Sequence, residues 1–183
     1  MFSGIVETQS TITNAIERSG VLQLNIEKPN TFNDLSSGDS ISVNGVCLTL
    51  EGQISNEMIF ALAAETLQIT GWKEQALVGQ KVNLERSLKL GDRIHGHLVT
   101  GHVDGMGKVE KEEREGESLK LTVSFPNSLV QWIWKKGSVA VNGVSLTVNS
   151  VKANNLEVCL IPETLKRTNL AKLRVGDRVT IEV

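Results

Sequence analysis

The chain has 183 residues, of which 19 are Lys or Arg and 21 are Asp or Glu, so its formal net charge is −2. That balance, with no basic block beyond Lys135-Lys136, excludes the electrostatic footprint of nucleic-acid-binding proteins, and we expect no nucleic-acid partner. No apolar run approaches the roughly 20 residues that a membrane-spanning helix needs, and the N-terminus lacks the features of a signal peptide. We therefore expect a soluble cytoplasmic protein that does not bind a membrane.

Along the chain, short segments that alternate apolar and polar residues predict β-strands, for example at residues 21–26. The dipeptides Asn44-Gly45 and Asn142-Gly143 each separate two such runs and predict two-residue hairpin turns, because both central positions need positive φ. Helix signals are confined to residues 65–69 and 128–135. The elements therefore predict an all-β protein with short helices only.

Several blocks of the sequence occur twice, about 98 positions apart and in the same order. A repeat of this length is a whole small domain, so the sequence predicts two tandem homologous domains, residues 1–97 and 98–183. Because each copy is rich in hairpins, we expect each domain to be a small antiparallel barrel or sandwich. The matching blocks are residues 38–49 with 136–147, 64–70 with 162–168, 78–85 with 175–182 and, more weakly, 2–6 with 99–103.

The strand after each Asn-Gly turn has one apolar and one polar face. In the first copy Cys47 and Thr49 point away from the apolar side chains, and in the second copy Ser145 and Thr147 do so. For one copy alone, an ordinary solvent-facing strand explains such a pair. Its recurrence in both copies, upstream of a repeated Glu-Thr-Leu, favours two related ligand-binding surfaces.

The two cysteines differ in what their positions indicate. Cys47 stands where the second copy has Ser145, and a thiol there is either a nucleophile or proton donor, or a half-buried small residue. Cys159 lies in an alternating run and is interpreted as a core or strand residue. The two positions are not equivalent in the repeat, which argues against a disulfide and for reduced thiols.

All three histidines fall close together at the junction between the copies. His95 and His97 have the spacing of a zinc-binding pair, but no third ligand is assured, and we expect no metal site. His102 mirrors Ile5 of the first copy and is either a proton-transfer group or a surface residue of a linker. Lys136, with the repeated Glu-Thr pairs, suits a polyol or a polar heterocycle, although solvent exposure explains each residue singly.

Six motifs together resemble the riboflavin synthase family of the alpha-chain type. They are Met-Phe-Ser-Gly-Ile-Val-Glu, Val-Asn-Gly-Val-Cys-Leu-Thr, Val-Asn-Leu-Glu-Arg-Ser, Gly-His-Leu-Val-Thr-Gly-His-Val-Asp-Gly, Val-Asn-Gly-Val-Ser-Leu-Thr and Ile-Pro-Glu-Thr-Leu. The resemblance spans the whole chain. It implies two six-stranded Greek-key β-barrels, each holding one molecule of 6,7-dimethyl-8-ribityllumazine.

In that family two lumazine molecules dismutate, and the resemblance implies the same reaction here. One molecule gives four carbons to the other, which yields riboflavin and 5-amino-6-(D-ribitylamino)uracil, without a cofactor or a metal. A duplicated domain fits this chemistry, because donor and acceptor are the same compound and two like sites can hold them face to face.

The resemblance also implies which residues act. Ser40, Cys47 and His102 match the catalytic positions of the family, with Phe2 beside them. His102 is the expected proton-transfer group, and Ser40 with Cys47 is expected on the acceptor side. Ala61 stands where many members have a polar residue, which weakens the expected ribityl contact. The expected lumazine contacts are Phe2, Gly4, Ile5, Val6, Cys47, Leu48, Thr49, Ala61, Leu62, Ala63, Ala64, Glu65, Thr66, Gly101, His102, Val103, Lys136, Ser145, Leu146, Thr147, Ile161, Pro162, Glu163, Thr164, Leu165 and Lys166.

Assembly and catalysis leave alternatives open. Family members are homotrimers held by a C-terminal helix and use a site between neighbouring subunits, whereas this chain ends at Val183 without that helix, which makes the trimer doubtful. The resemblance also admits an association with lumazine synthase. The alternative function is a non-catalytic lumazine or flavin antenna protein, which also has two barrels and lacks the helix. A third interpretation, a generic β-barrel interaction module, leaves the repeated motifs unexplained.

Overall fold

A computed structural model describes residues 1–183, which form two closed six-stranded barrels. The first barrel contains β1 (Thr8–Arg18), β2 (Val21–Glu27), β3 (Ser40–Val43), β4 (Val46–Ile54), β5 (Glu57–Leu62) and β6 (Lys81–Arg86). The second contains β7 (Gly105–Glu115), β8 (Ser118–Ser124), β9 (Ser138–Val141), β10 (Val144–Lys152), β11 (Asn155–Leu160) and β12 (Arg178–Glu182). The helices are α1 (Ala64–Thr70), α2 (Glu74–Leu77), α3 (Pro162–Arg167) and two 3₁₀ helices, Asn127–Trp132 and Asn169–Lys172. The predicted fold class is confirmed.

The strand order is the same in both barrels. The first runs β1-β2-β5-β4-β3-β6 and closes between β6 and β1, and the second has the same order with each strand number raised by six. All strand pairs are antiparallel. The repeat in the sequence is therefore a repeat in topology.

The apolar faces of the strands fill the barrels, as the alternation predicts. In β2 the buried positions are Leu22, Leu24 and Ile26, each fully buried, and they alternate with exposed or half-buried neighbours. Each such side chain stabilises the fold by about 1.5–3 kcal/mol relative to an exposed one. Each barrel has its own apolar cluster.

Both predicted hairpin turns are confirmed. Asn44 and Gly45 have φ values of 47° and 83°, and Asn142 and Gly143 have 47° and 75°. The two turns face each other where the barrels meet, and a Cβ added to Gly45 would lie 2.7 Å from the backbone N of Gly143. The contact therefore needs glycine for its closeness as well as for its φ.

One of the two helix predictions differs from the structure. Residues 65–69 lie within α1, as expected, but residues 128–135 contribute only to the 3₁₀ helix Asn127–Trp132. The helix ends because the backbone is extended at Ile133, with φ −113° and ψ 119°, although Leu129 and Ile133 are both buried in the second barrel's core. No helix in the structure is long and apolar enough to cross a membrane.

The segments that lead into the two barrels, residues 2–6 and 99–103, are exchanged: each packs on the barrel that the other precedes. Val6 precedes the first barrel but belongs to the apolar cluster of the second, and Val103 precedes the second barrel but packs against the cluster of the first. The segments cross side by side, where Phe2 N donates to Val99 O at 2.7 Å and Val99 N donates to Phe2 O at 3.0 Å. Each barrel is therefore completed by residues that precede the other one.

Two candidate ligand sites built by exchanged segments

The first candidate site is an open cavity of about 350 Å³ on the first barrel. It brings together Cys47 of β4, Glu65 and Thr66 of α1, and His102 of the exchanged segment. The cavity thus gathers a thiol, a hydroxyl, a carboxyl and an imidazole that the sequence places up to 55 positions apart. The other lining residues are Val46, Ile69, Thr70, Gly101 and Val103.

A backbone contact fixes the exchanged segment on β4. Cys47 N donates to Gly101 O at 2.8 Å. Gly101 has φ 80°, and a Cβ at this position would lie 2.5 Å from the Cβ of Cys47. Only glycine fits at this position, so glycine allows the exchanged segment to lie close against β4. The next residue, the exposed His102, therefore lies at the mouth of the cavity.

The backbone contact recurs on the second barrel with different side chains. Ser145 N donates to Gly4 O at 2.7 Å, and a Cβ on Gly4 would lie 2.7 Å from the Cβ of Ser145. Ile5 follows Gly4 where His102 follows Gly101. The first site therefore carries a thiol and an imidazole, and the second a hydroxyl and an aliphatic side chain.

His97 adds an imidazole to the second site from outside the repeat. Its Nδ1 lies 2.7 Å from Ser145 Oγ, and its backbone N donates to Ser3 O at 3.2 Å. Burial lowers the pKa of the His97 imidazole, which the charge of Glu182 opposes. The sequence indicated His97 only as half of a metal-binding pair. No repeated motif points to its contact with Ser145, because His97 lies outside the repeated blocks.

Two buried glutamates hold the exchanged segments. Glu85 accepts hydrogen bonds from Ser3 N at 2.7 Å, Ser3 Oγ at 2.8 Å and Gly4 N at 3.0 Å. Glu182 accepts from Thr100 N at 2.6 Å, Thr100 Oγ1 at 2.7 Å and Gly101 N at 2.9 Å. Both glutamates end the third repeated block of the sequence, and that recurrence is the signal by which they could have been found.

The remaining predicted catalytic residues lie near the first cavity but not in its lining. Ser40 pairs with Thr49 across β3 and β4, two positions along from the pair of Ser42 and Cys47. Phe2 is fully buried with Val99 and Ala140 in a small cluster against which Cys47 packs. Ser40 therefore lies on the strand next to that of Cys47, two positions from the residue that pairs with Cys47, and Phe2 belongs to the cluster against which Cys47 packs.

The predicted lumazine contacts fall into three groups. Ala61 and Leu62 end β5 just before α1, whereas in the second barrel Ile161 directly precedes α3 and residues 162–166 lie within it. Lys136 is exposed, with φ 70°, two residues before β9. The side chains of Leu48, Leu62 and Leu146 are buried in the barrel cores, so these residues offer a ligand only their backbone.

The structure contains no group of three or more His, Cys, Asp and Glu residues arranged to hold a metal ion. His95 and His97 lie in a linker without a regular strand, so the geometry of a His-x-His strand pair is not present. Both cysteines are free thiols.

Comparison with known proteins gives the same family as the sequence motifs. A profile of the lumazine binding domain matches twice, at residues 3–87 and 100–183. Riboflavin synthase of Photobacterium leiognathi is 36% identical over 184 residues, covering 100% of this chain and 84% of that protein. The enzymes of that name from Brucella abortus and Chlamydia pneumoniae are 39% and 40% identical, again over 100% of this chain and over 93% and 90% of theirs.

The solved structure of LumP complexed with riboflavin superimposes with a TM-score of 0.91, at 26% identity and with 100% of this chain and 99% of that chain covered. The complex of LumP with 6,7-dimethyl-8-(1'-D-ribityl) lumazine gives a TM-score of 0.89 at 25% identity, with the same coverage. The family profile matches each barrel once, and relatives above 30% identity cover the whole chain. The chain belongs to the lumazine-binding domain family and, within it, groups with the riboflavin synthases.

Proposed function

We propose that this chain is a riboflavin synthase, which converts two molecules of 6,7-dimethyl-8-ribityllumazine into riboflavin and 5-amino-6-(D-ribitylamino)uracil. The single observation that carries the proposal is the presence of two equivalent but chemically different sites, one with Cys47 and His102 and the other with Ser145 and Ile5. A dismutation needs two places for one compound and a way to treat the two molecules differently. The duplicated barrel supplies the places, and the side-chain differences distinguish the two roles.

The proposed step transfers a four-carbon unit, C6 and C7 with their methyl groups, from one lumazine to the other. A base removes a proton from the acidic 7-methyl group of one molecule, and a nucleophile or water adds at C7 of the other. The methyl carbons of the first molecule then form two bonds to C6 and C7 of the second, the two carbon–nitrogen bonds that held C6 and C7 to its pyrimidine break, and the added nucleophile or water is released. His102 is the proposed proton-transfer group, because its exposed imidazole lies at the mouth of the cavity that Cys47 also lines. Ser40 and Cys47 are proposed for the acceptor side. Holding the two rings in a fixed orientation supplies much of the rate.

Association between copies is part of this proposal. The cavity that contains Cys47 is lined by residues of the first barrel and of the exchanged segment, and Ser145 is not among them. We propose that the two bound lumazines meet where a site of one copy faces a site of another. We therefore propose a homo-oligomer, with the trimer of the family as its expected form. We also propose that the protein acts in the cytoplasm. An association with lumazine synthase stays an expectation. Residues 1–97 and 98–183 are the proposed domains.

The alternative function is a non-catalytic binder of lumazine or flavin. The observation in its favour is the likeness to LumP, which extends over the whole chain and is found with the LumP complexes of riboflavin and of 6,7-dimethyl-8-(1'-D-ribityl) lumazine. The relatives named riboflavin synthase are more similar in sequence, at 36–40% against 25–26% identity. Retention of both Cys47 and His102 also favours the enzyme.

The test is riboflavin formation from 6,7-dimethyl-8-ribityllumazine, followed by absorbance across a dilution series of the protein with the oligomeric state recorded in parallel. We expect turnover that rises faster than linearly with protein concentration, because half-sites on different copies must meet. Tight binding of the lumazine without turnover at any concentration would favour the antenna function instead.

A further inference from the structure

We propose that each ligand site is positioned by a buried carboxylate of the opposite barrel. Glu182, on the last strand of the second barrel, positions the site of Cys47, and Glu85, on the last strand of the first barrel, positions the site of Ser145. Both act as positioning residues through the exchanged segments. Binding of lumazine at these sites rests on the proposed function, whereas the anchoring by Glu85 and Glu182 does not.

The contacts run across the interface without a gap. Glu182 accepts three hydrogen bonds from Thr100 and Gly101, and Gly101 O in turn accepts from Cys47 N at 2.8 Å. The path from Glu182 to Cys47 therefore has a single residue between them. His102 is the next residue along the chain, so its backbone position depends on the same anchor.

The mirror path has the same form. Glu85 accepts three hydrogen bonds from Ser3 and Gly4, and Gly4 O accepts from Ser145 N at 2.7 Å. Val6, two residues after Gly4, packs in the core of the second barrel, and Val103, two residues after Gly101, packs against the core of the first. Each glutamate thus holds a segment whose other contacts belong to the site across the interface.

The chemistry of the two sites explains why a carboxylate is used. Three N–H or O–H donors converge on each glutamate, and a carboxylate is a pure acceptor with two oxygens. Neither Glu85 nor Glu182 takes part in a salt bridge in the structure, so their hydrogen-bond partners are these N–H and O–H donors. A glutamine would keep the volume but turn an NH₂ group toward at least one of the donors, which breaks a charge-assisted hydrogen bond.

The test uses the thiol of Cys47 as a reporter of its own site. A Cys159→Ala background removes the other thiol and installs the residue that the first barrel has at the equivalent position, Ala61. In this background the rate of alkylation by iodoacetamide is measured without ligand for Glu182→Gln and for the matched control Glu85→Gln. We expect Glu182→Gln to raise the rate about tenfold, because a lost hydrogen bond to a charged group loosens the segment that covers Cys47. Glu85→Gln is expected to change it by less than about twofold.

A second pair of variants keeps the proposal testable if a glutamine variant fails to fold. Thr100→Val removes one donor to Glu182, and Ser3→Ala removes the equivalent donor to Glu85. Thr100→Val is expected to raise the alkylation rate of Cys47 and Ser3→Ala to leave it unchanged, with both proteins folded by circular dichroism. The proposal would be overturned if Glu182→Gln and Glu85→Gln, or Thr100→Val and Ser3→Ala, changed the alkylation rate of Cys47 equally. It would also be overturned if neither Glu182→Gln nor Thr100→Val changed that rate.

The lumazine adds a readout that separates this proposal from the proposed function. We expect 6,7-dimethyl-8-ribityllumazine to protect Cys47 from alkylation in the wild-type site, and Glu182→Gln to weaken that protection more than Glu85→Gln does. If the lumazine fails to protect the wild-type thiol, the result counts against the proposed function alone. The larger effect of the Glu182 and Thr100 variants than of the Glu85 and Ser3 variants is measured without ligand and would still stand.

Discussion

Gly45 and Gly143 touch each other backbone to backbone at the centre of the molecule, each with the other's nitrogen 2.7 Å from where its Cβ would be. The turns that carry them exchange hydrogen bonds with the opposite barrel. Asn83 Nδ2 donates to Asn142 O at 2.9 Å, and Thr180 Oγ1 donates to Asn44 O at 2.5 Å. The two residues therefore set how closely the barrels, and with them the two sites, can approach.

Replacement of Gly45 by alanine is expected to destabilise the protein by about 2–4 kcal/mol, from a Cβ clash with fixed backbone added to the cost of positive φ. The measurement is the free energy of unfolding by urea. Gly116→Ala is the matched control, because Gly116 has φ 60° but open space around it, and it should cost only about 1–2 kcal/mol. Equal losses for the two variants would show that the contact with Gly143 adds nothing.

Substitution of Cys47 by serine makes the first site resemble the second. We expect turnover to fall by about tenfold or more while lumazine affinity stays within about threefold, because the volume is kept and the thiol chemistry is lost. Steady-state kinetics and fluorescence titration measure the two effects separately. Cys159→Ser is the control and should leave turnover unchanged. An unchanged rate in Cys47→Ser would remove the thiol from the mechanism.

Substitution of His102 by glutamine is expected to lower turnover by about 100-fold, the ordinary contribution of a general acid or base. Its side chain is exposed at the mouth of the first cavity, so the melting temperature should stay within about 2 °C of the wild type. His95→Gln, in the same linker region, is the control and should keep full activity. A large fall in melting temperature in His102→Gln would indicate a structural role instead.

The buried imidazole of His97 predicts a pH dependence of stability. Because burial lowers its pKa in the folded state, the unfolded chain binds more protons in the window just below the ordinary value of about 6.5. The free energy of unfolding is therefore not reduced by His97 above that pH, and it decreases as the pH falls through the window because protonation of the imidazole favours the unfolded chain. Unfolding free energies measured from pH 7.5 to 5 should show this slope, and His97→Gln should reduce it. The same slope in both proteins would assign it to other groups.

Much of the fold could be predicted from the sequence because the signals are local. The turns at Asn44 and Asn142 and the alternating strands follow from φ preference and side-chain period, and both were found where expected. The predicted helix over residues 128–135 is shorter in the structure, because the composition of the segment gives no sign that the backbone becomes extended at Ile133.

The candidate sites were predicted less completely, for a physical reason. A repeat shows that residues 2–6 and 99–103 are equivalent, but not which barrel each segment packs on. That choice depends on contacts more than 80 positions apart, such as those of Glu85 with Ser3 and of Glu182 with Thr100. His97 lies outside the repeat altogether, so nothing local indicated its contact with Ser145.

The exchange of leading segments also bears on the origin of the molecule. Residues 2–6 and 99–103 are equivalent in sequence and occupy equivalent positions on opposite barrels, as two identical subunits would do in a domain-swapped dimer. A single ancestral barrel that traded its first residues with a twin would give this arrangement after duplication and fusion of its gene. In the fused chain the two copies can differ, and they do so with Cys47 and His102 on one side and Ser145 and Ile5 on the other.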